Sequence, residues 1–146
     1  MTTQRDPREV MITGAQVLQE VLNPHGFVFA LEREGRSSGG HFASGKFTRG
    51  NRVLELHFRH SLGLVSYAVG PQRLEHADYV RAMLATGVTE EQAYPGFSDD
   101  PLDGFRHLKQ DLVHFGSRFL NGTDAEFQQL VRWVAENPRK TGIGAT

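Results

Sequence analysis

The chain opens with a segment whose apolar residues recur at intervals of three and four, which predicts an amphipathic helix over about residues 6–22. Asp6 suits the N-cap position and Pro7 the first helical turn, while Asn23 and Pro24 end the pattern. The stripe expected to face the core consists of Val10, Gly14, Val17 and Val21. The sequence therefore predicts an N-terminal helix that packs on the elements that follow it.

From about residue 26 to residue 70 the apolar positions alternate with a period of two, which is typical of β-strands. Four such segments, separated by turns rich in glycine, predict a four-stranded antiparallel meander. The strongest local signal is Gly50-Asn51, because this dipeptide is favoured in two-residue hairpin turns and determines the register of the flanking strands. The cross-strand pairs predicted by counting outward from the turn are Arg49 with Arg52, Phe47 with Leu54, Lys46 with Glu55, Gly45 with Leu56, Ser44 with His57, Ala43 with Phe58, Phe42 with Arg59, and His41 with His60.

The segment from about residue 76 to residue 136 has helical spacing and predicts three helices. The stretch SDDPLDGF begins the second of them, with Asp100 as N-cap, Pro101 at the first helical position and Asp103 near the positive end of the helix dipole. We interpret these aspartates as the start of a helix rather than as a carboxylate site. The predicted fold is α+β, with an N-terminal helix, a four-stranded antiparallel meander sheet and three C-terminal helices packed on one face, in one domain over residues 1–146 with a frayed tail from residue 137.

Composition narrows the class of protein. A chain of 146 residues is long enough to bury the core of one domain. Because the chain has no cysteine, disulfides, thiolate metal sites and cysteine nucleophiles are excluded. No apolar run approaches the length that a bilayer requires, and the first residues lack the pattern of a secretion signal, so we expect a cytoplasmic protein. The net charge of −1 gives the whole chain no preference for nucleic acid.

Histidines supply one candidate for chemistry. His41 and His60 would face each other if the predicted hairpin register holds, and His76, in the loop entering the next helix, could join them. Neutral imidazoles beside an open position suit Zn²⁺, so these three residues are the candidate site of a small metal-assisted enzyme. The simpler interpretation is that histidines lie at the wet rim of a sheet.

A second group of titratable residues, spaced by four, four and three, lies on one predicted helix: Asp103, His107, Asp111 and His114. Such spacings occur in metal sites on helices. However, the stripe points away from the apolar residues of the same helix. The sequence therefore predicts that these side chains face solvent and pair with one another along the helix.

Two surfaces are candidates for binding a macromolecule. The sheet face turned away from the helices would present a mixed apolar and basic set that includes Phe42, His57 and Arg59. The bend at 90–97 adds Tyr94 and Phe97, either as a clamp for a partner or as plugs of the core. The alternative, a single-stranded nucleic-acid site, uses the basic and aromatic residues of the hairpin, which are Phe42, Arg49, Arg52 and Arg59.

No nucleophile elbow is recognisable, and no glycine-rich loop precedes a helix in the way that phosphate binding requires. The preferred hypothesis is therefore a non-catalytic module, without a cofactor, that binds another protein or a second copy of itself through an open sheet face or edge. An inhibitor or an immunity-type protein acts in this way. The metal-assisted enzyme and the nucleic-acid binder are the alternatives.

Overall fold

The computed structural model describes residues 6–37, 40–87 and 100–139. The helices are α1 (Pro7–Leu22), α2 (His76–Ala85), α3 (Asp103–Phe115), α4 (Ser117–Leu120) and α5 (Asp124–Glu136). The strands are β1 (Val28–Ser37), β2 (Gly40–Arg49), β3 (Arg52–Phe58), β4 (Leu62–Val69) and β5 (Gln72–Glu75). One helix thus precedes an antiparallel sheet and the other described helices follow it, which confirms the predicted α+β fold. Within these ranges no helix has the length and apolar character needed to cross a membrane.

The sheet has five strands in the order β1-β2-β3-β4-β5, one more than predicted. The additional strand, β5, lies in the polar stretch QRLE, which the sequence indicates to be a loop before the next helix. Gly70 adopts a φ of 58°, so that Gly70 and Pro71 reverse the chain and Leu74 lies opposite Tyr67 in the core. One buried leucine in a strand of four residues is too short a pattern for periodicity to identify.

The predicted hairpin register is confirmed over its whole paired length, from Arg49 opposite Arg52 to Ala43 opposite Phe58. Small residues lie opposite large ones on the inner face of the sheet, the face that carries Phe47 and Leu54. Lys46 and Glu55 lie opposite each other as predicted, but their ion pairs are with other residues. Lys46 pairs with Glu32 on β1, and Glu55 pairs with Arg73 on β5.

α1 begins as predicted, with the Asp6 carboxylate accepting a hydrogen bond from the Arg8 N–H at 3.2 Å. Its buried side differs from the predicted stripe, because Val17 and Val21 are only partly buried. The buried residues of the helix are Pro7, Val10, Met11, Gly14, Ala15, Leu18 and Leu22. The reason is that α1 packs against both the sheet and α3, which widens and rotates its buried side.

The predicted helix of residues 100–120 is divided. The turn before α3 uses Asp100, whose carboxylate accepts the Leu102 N–H at 2.9 Å, and α3 itself starts at Asp103. Arg106 binds both Asp100 and Asp103, at 3.0 and 2.7 Å. These aspartates therefore serve the helix entry, as predicted, although the N-cap position is Leu102. Gly116 lies at the end of α3, where a Cβ would lie 2.3 Å from the Leu112 carbonyl oxygen. This close approach explains why the position is a glycine.

The described helices share one core with the inner face of the sheet. It includes the predicted stripe of α3 and α4, namely Phe105, Leu108, Leu112, Phe115 and Phe119, all of which are buried. α5 starts with the predicted capping box, in which Thr123 and Glu126 bond reciprocally. The Thr123 backbone N–H lowers the pKa of Glu126 because it stabilises the charged carboxylate. The opposite, outer face of the sheet carries Phe42, His57 and Leu64, and no helix of the described residues belongs to a core on that side.

Candidate functional site

The outer face carries an aromatic ring surrounded by basic side chains. Phe42 on β2 stacks with His57 on β3, with 5.4 Å between the ring centroids and 21° between the ring planes. The guanidinium carbons of Arg33 and Arg59 lie 5.8 and 5.9 Å from the Phe42 centroid. The predicted contact between Phe42 and Arg59 is thereby confirmed, and both arginines are placed for cation–π attraction. Arg33, Phe42, His57 and Arg59 together form the Phe42 patch.

Arg33 belongs to the patch because β1 contains a bulge. Leu31 pairs with Gly45, but Arg33 pairs with Ser44, so the register shifts between Leu31 and Arg33. Strict alternation from Leu31 would put Arg33 on the inner face, whereas the extra residue turns it to the outer face. The hydrophobic pattern gives no signal for this bulge, and Arg33 is accordingly absent from the set of residues predicted from the sequence.

The two arginines of the Phe42 patch make no ion pair in the part of the chain that the structure describes. The acidic side chains of the neighbouring stretch of β1 are already occupied. Glu32 pairs with Lys46 at 3.3 Å, and Glu34 pairs with Arg8 at 2.9 Å. The Phe42 patch therefore presents two arginines that form no ion pair with any carboxylate of the described residues.

The other end of the outer face differs in charge and exposure. Ser66 on β4 is only 2% exposed, whereas Leu64, which lies directly opposite His57, is 54% exposed. The ion pairs that join side chains at the Ser66 end are Glu55 with Arg73 and Glu75 with Arg139. The end of the outer face formed by β1, β2 and β3, together with Leu64, is thus the exposed part. It also carries the two arginines that make no ion pair among the described residues.

Arg49 and Arg52, both predicted for nucleic-acid binding, lie on the inner side instead. Arg49 donates to the carbonyls of His25 and Leu120, each at 2.8 Å. Arg52 is 5% exposed. It donates to the carbonyls of Arg118, Phe119 and Gly122 and to the carboxylate of Asp124. The two guanidiniums hold the end of α4 against the hairpin, so the four residues predicted as a nucleic-acid site are divided between two sides of the sheet.

The three predicted zinc ligands occupy separate settings. The β2–β3 ladder ends at Ala43 and Phe58, so His41 and His60 are not a cross-strand pair, and both are exposed. His76 is the first residue of α2 and bonds elsewhere. In residues 6–37, 40–87 and 100–139, no three His, Asp or Glu side chains are grouped so as to hold a metal ion.

His76 connects the sheet to α3 through both of its ring nitrogens. Nδ1 lies 2.8 Å from the Tyr67 hydroxyl, and Nε2 lies 2.7 Å from a carboxylate oxygen of Asp111. Asp111 therefore turns towards α2 and the sheet, and the prediction that its helix stripe faces solvent is wrong for this residue. Asp103 is also buried, at 6% exposure. The cause is that α3 packs against other elements on this side as well, which the pattern of one helix cannot show.

The hydrogen-bonded series of Tyr67, His76 and Asp111 has a consistent arrangement of protons. Burial raises the pKa of Tyr67 well above its usual value, so the phenol keeps its proton and donates it to His76 Nδ1. In the tautomer in which Nδ1 accepts that proton, Nε2 carries the ring hydrogen and donates it to Asp111. Both ring nitrogens of His76 thus lie within hydrogen-bond distance of protein groups. His76 borders a cleft of about 420 Å³ that is also lined by Leu62, Val65, Gly104 and His107.

Replacing His76 with alanine should lower the free energy of unfolding by about 2 kcal/mol, because the buried Tyr67 hydroxyl would lose its hydrogen-bond partner. Urea denaturation measures this loss. The matched control is His60→Ala, at an exposed position, which should change stability by less than about 0.5 kcal/mol. Equal effects of the two substitutions would contradict the connecting role of His76.

Tyr94 and Phe97, predicted to contribute to partner binding, lie outside the described residues. Of the other residues predicted for a partner surface, Phe42, His57 and Arg59 are brought together. Comparison of the chain with protein-family models, with curated proteins and with solved structures gives no match. The functional interpretation therefore depends on the geometry of the molecule alone.

Proposed function

We propose that this chain is a non-catalytic protein-binding module that docks a partner protein on the Phe42 patch. The observation that carries the proposal is the pair of arginines stacked over Phe42 without a carboxylate partner among the described residues. Arginine and aromatic residues are enriched where proteins bind one another, because they combine apolar contact area with directed hydrogen bonds. An inhibitor or immunity-type protein would use such a surface to cover its target.

The geometry favours the face of the sheet over its edge. β1 is the long edge strand, and natural proteins protect such edges with bulges and charged residues. β1 has both devices, since its register shifts after Leu31 and the residues that follow include Glu32, Arg33, Glu34 and Arg36. The other edge strand, β5, has only four residues and contacts α2 and α5. The exposed Leu64 and the Phe42 patch lie instead on the face, where a partner could contact four strands at once.

Site-specific photo-crosslinking in the native host tests the proposal. A benzophenone amino acid at position 64 lies beside His57 on the outer face, whereas the same group at position 113 lies on α3. Both native side chains are apolar and strongly exposed, Leu64 at 54% and Val113 at 69%, which makes them matched probes. We expect a discrete protein adduct from position 64 only, and we expect Arg33→Glu combined with Arg59→Glu to abolish it.

The result that overturns the proposal is the absence of an adduct at position 64, or equal adducts at positions 64 and 113. An adduct with the mass of two copies of the chain supports binding through the face and identifies a second copy as the partner. The charge-reversed double variant must keep its circular dichroism spectrum and its thermal unfolding midpoint, so that loss of the adduct reports on the surface.

A further inference from the structure

We infer that the partner segment recognised by the Phe42 patch is an acidic, extended stretch of protein. Its Asp or Glu carboxylates would pair with Arg33 and Arg59, while an apolar side chain between them contacts the Phe42 ring. This inference rests on the proposed function and specifies the chemistry of the partner.

The charge of the Phe42 patch is complementary to carboxylates. Arg33 and Arg59 are the cations of the patch, and the His57 ring lies beside them, stacked on Phe42. A guanidinium is planar, binds carboxylates through two parallel hydrogen bonds and is more weakly hydrated than an ammonium group. Cation–π attraction to the Phe42 ring favours rotamers that keep each guanidinium beside it, which reduces the conformational entropy that binding would cost.

The spacing of the patch suits an extended segment. Arg33 lies on β1, Phe42 on β2, and Arg59 directly after β3, so the two arginines approach one ring from the strands on either side of it. In an extended chain, alternate side chains point the same way and lie about 7 Å apart. Gly35, opposite Phe42, leaves the ring uncovered by any side chain of its own. An apolar residue and the carboxylates two positions before and two positions after it therefore all face the patch, with the apolar side chain towards Phe42 and one carboxylate towards each guanidinium.

The state of the surrounding cations favours an acidic protein segment over single-stranded nucleic acid. Nucleic acid is held by many phosphate contacts along a track and by several stacking rings. The other cations of the outer face that could extend the patch, Lys46 and Arg73, are paired with Glu32 and Glu55. Those carboxylates would repel a phosphate backbone. A short acidic segment requires only the two unpaired arginines and one ring.

Binding of synthetic probes tests the inference with the full chain. The first probe is a short peptide in which a central phenylalanine has a glutamate two positions before it and another two positions after it. The second is the same peptide with lysine in place of glutamate, and the third is a short oligo-dT strand. We expect the glutamate peptide to bind, to shift the amide resonances of Phe42 and His57, and to lose affinity as salt is raised. The lysine peptide should not bind.

Charge-reversed variants locate the site. Arg33→Glu and Arg59→Glu should each weaken the glutamate peptide by about tenfold or more, as expected for truncating one member of a charge pair. Arg132→Glu is the matched control, because Arg132 is exposed on α5 and makes no ion pair among the described residues. It should leave the affinity within about twofold.

Failure of the inference and failure of the proposed function give different results. If the glutamate peptide does not bind, or if Arg132→Glu weakens it as much as Arg59→Glu does, the acidic segment is refuted, while a crosslinked partner at position 64 would still support protein binding. If oligo-dT binds more tightly than the peptide and loses affinity in the Arg33→Glu and Arg59→Glu variants, the patch is a nucleic-acid site and the inference is overturned.

Discussion

Replacing Arg52 with methionine is expected to lower the free energy of unfolding by about 3 kcal/mol, although methionine preserves most of the aliphatic volume of the side chain. Arg52 is 5% exposed and donates to three main-chain carbonyls where the chain passes from α4 to α5. The Phe119 carbonyl, which accepts at 2.6 Å, is buried with it. Removing the donor leaves the buried Phe119 carbonyl without its partner, which is more costly than losing one exposed hydrogen bond.

Urea denaturation followed by circular dichroism measures the loss, and Asp124→Asn serves as the matched control. Asp124 also binds Arg52, at 3.0 Å, but its side chain is 66% exposed. Hydrogen bonds from Asn51 and Arg52 lower the pKa of its carboxyl group. Because solvent screens this pair, Asp124→Asn should cost far less than Arg52→Met. If both substitutions cost the same, the ion pair rather than the carbonyls would be responsible for the stabilisation.

The second large effect is expected at Gly14, where valine should lower the free energy of unfolding by about 3 kcal/mol. A Cβ at this position would lie 2.4 Å from the Phe105 ring. That ring is 0% exposed and stacks against Phe58, so it has no space into which to move. A glycine inside a helix normally costs stability relative to alanine, and its presence here is explained by the close approach of α1 and α3.

Thermal unfolding of Gly14→Val, compared with Thr13→Val, checks this expectation. Thr13 is the neighbouring residue of α1, is exposed and is already β-branched, so its replacement should change stability by less than about 0.5 kcal/mol. Gly14→Ala should fall between the two, since a single methyl group meets the same ring. A neutral Gly14→Val variant would show that α1 can move away from α3 without loss of packing.

The arginines of this sheet have two different roles, which depend on the groups that their guanidiniums contact. The Arg52 guanidinium donates hydrogen bonds to main-chain carbonyls, so this arginine has a structural role. Among the described residues, the guanidiniums of Arg33 and Arg59 contact the Phe42 ring and form no ion pair. Their donors can therefore bind a partner molecule. Counting basic residues along the hairpin cannot separate these roles, which is why the predicted nucleic-acid set mixes them.

Local patterns of the sequence predict much of the architecture. The capping residues Asp6 and Thr123 mark the starts of α1 and α5, and the Gly50-Asn51 turn predicts every observed pair between β2 and β3. These features depend on residues close together in sequence, whose backbone preferences and hydrogen bonds act in any context. The α+β order of elements follows from the change of hydrophobic period along the chain.

Only the tertiary structure decides which polar side chains meet. The bulge that turns Arg33 outward, the inward pairing of Arg52 with the end of α4, and the contact of His76 with Asp111 each join residues on different elements. Their geometry depends on how helices and strands pack, and a short sequence window contains no information about that packing. The sequence by itself thus determined most of the elements and one register of the sheet, whereas packing determined which arginines are bound inside the molecule and which face outward.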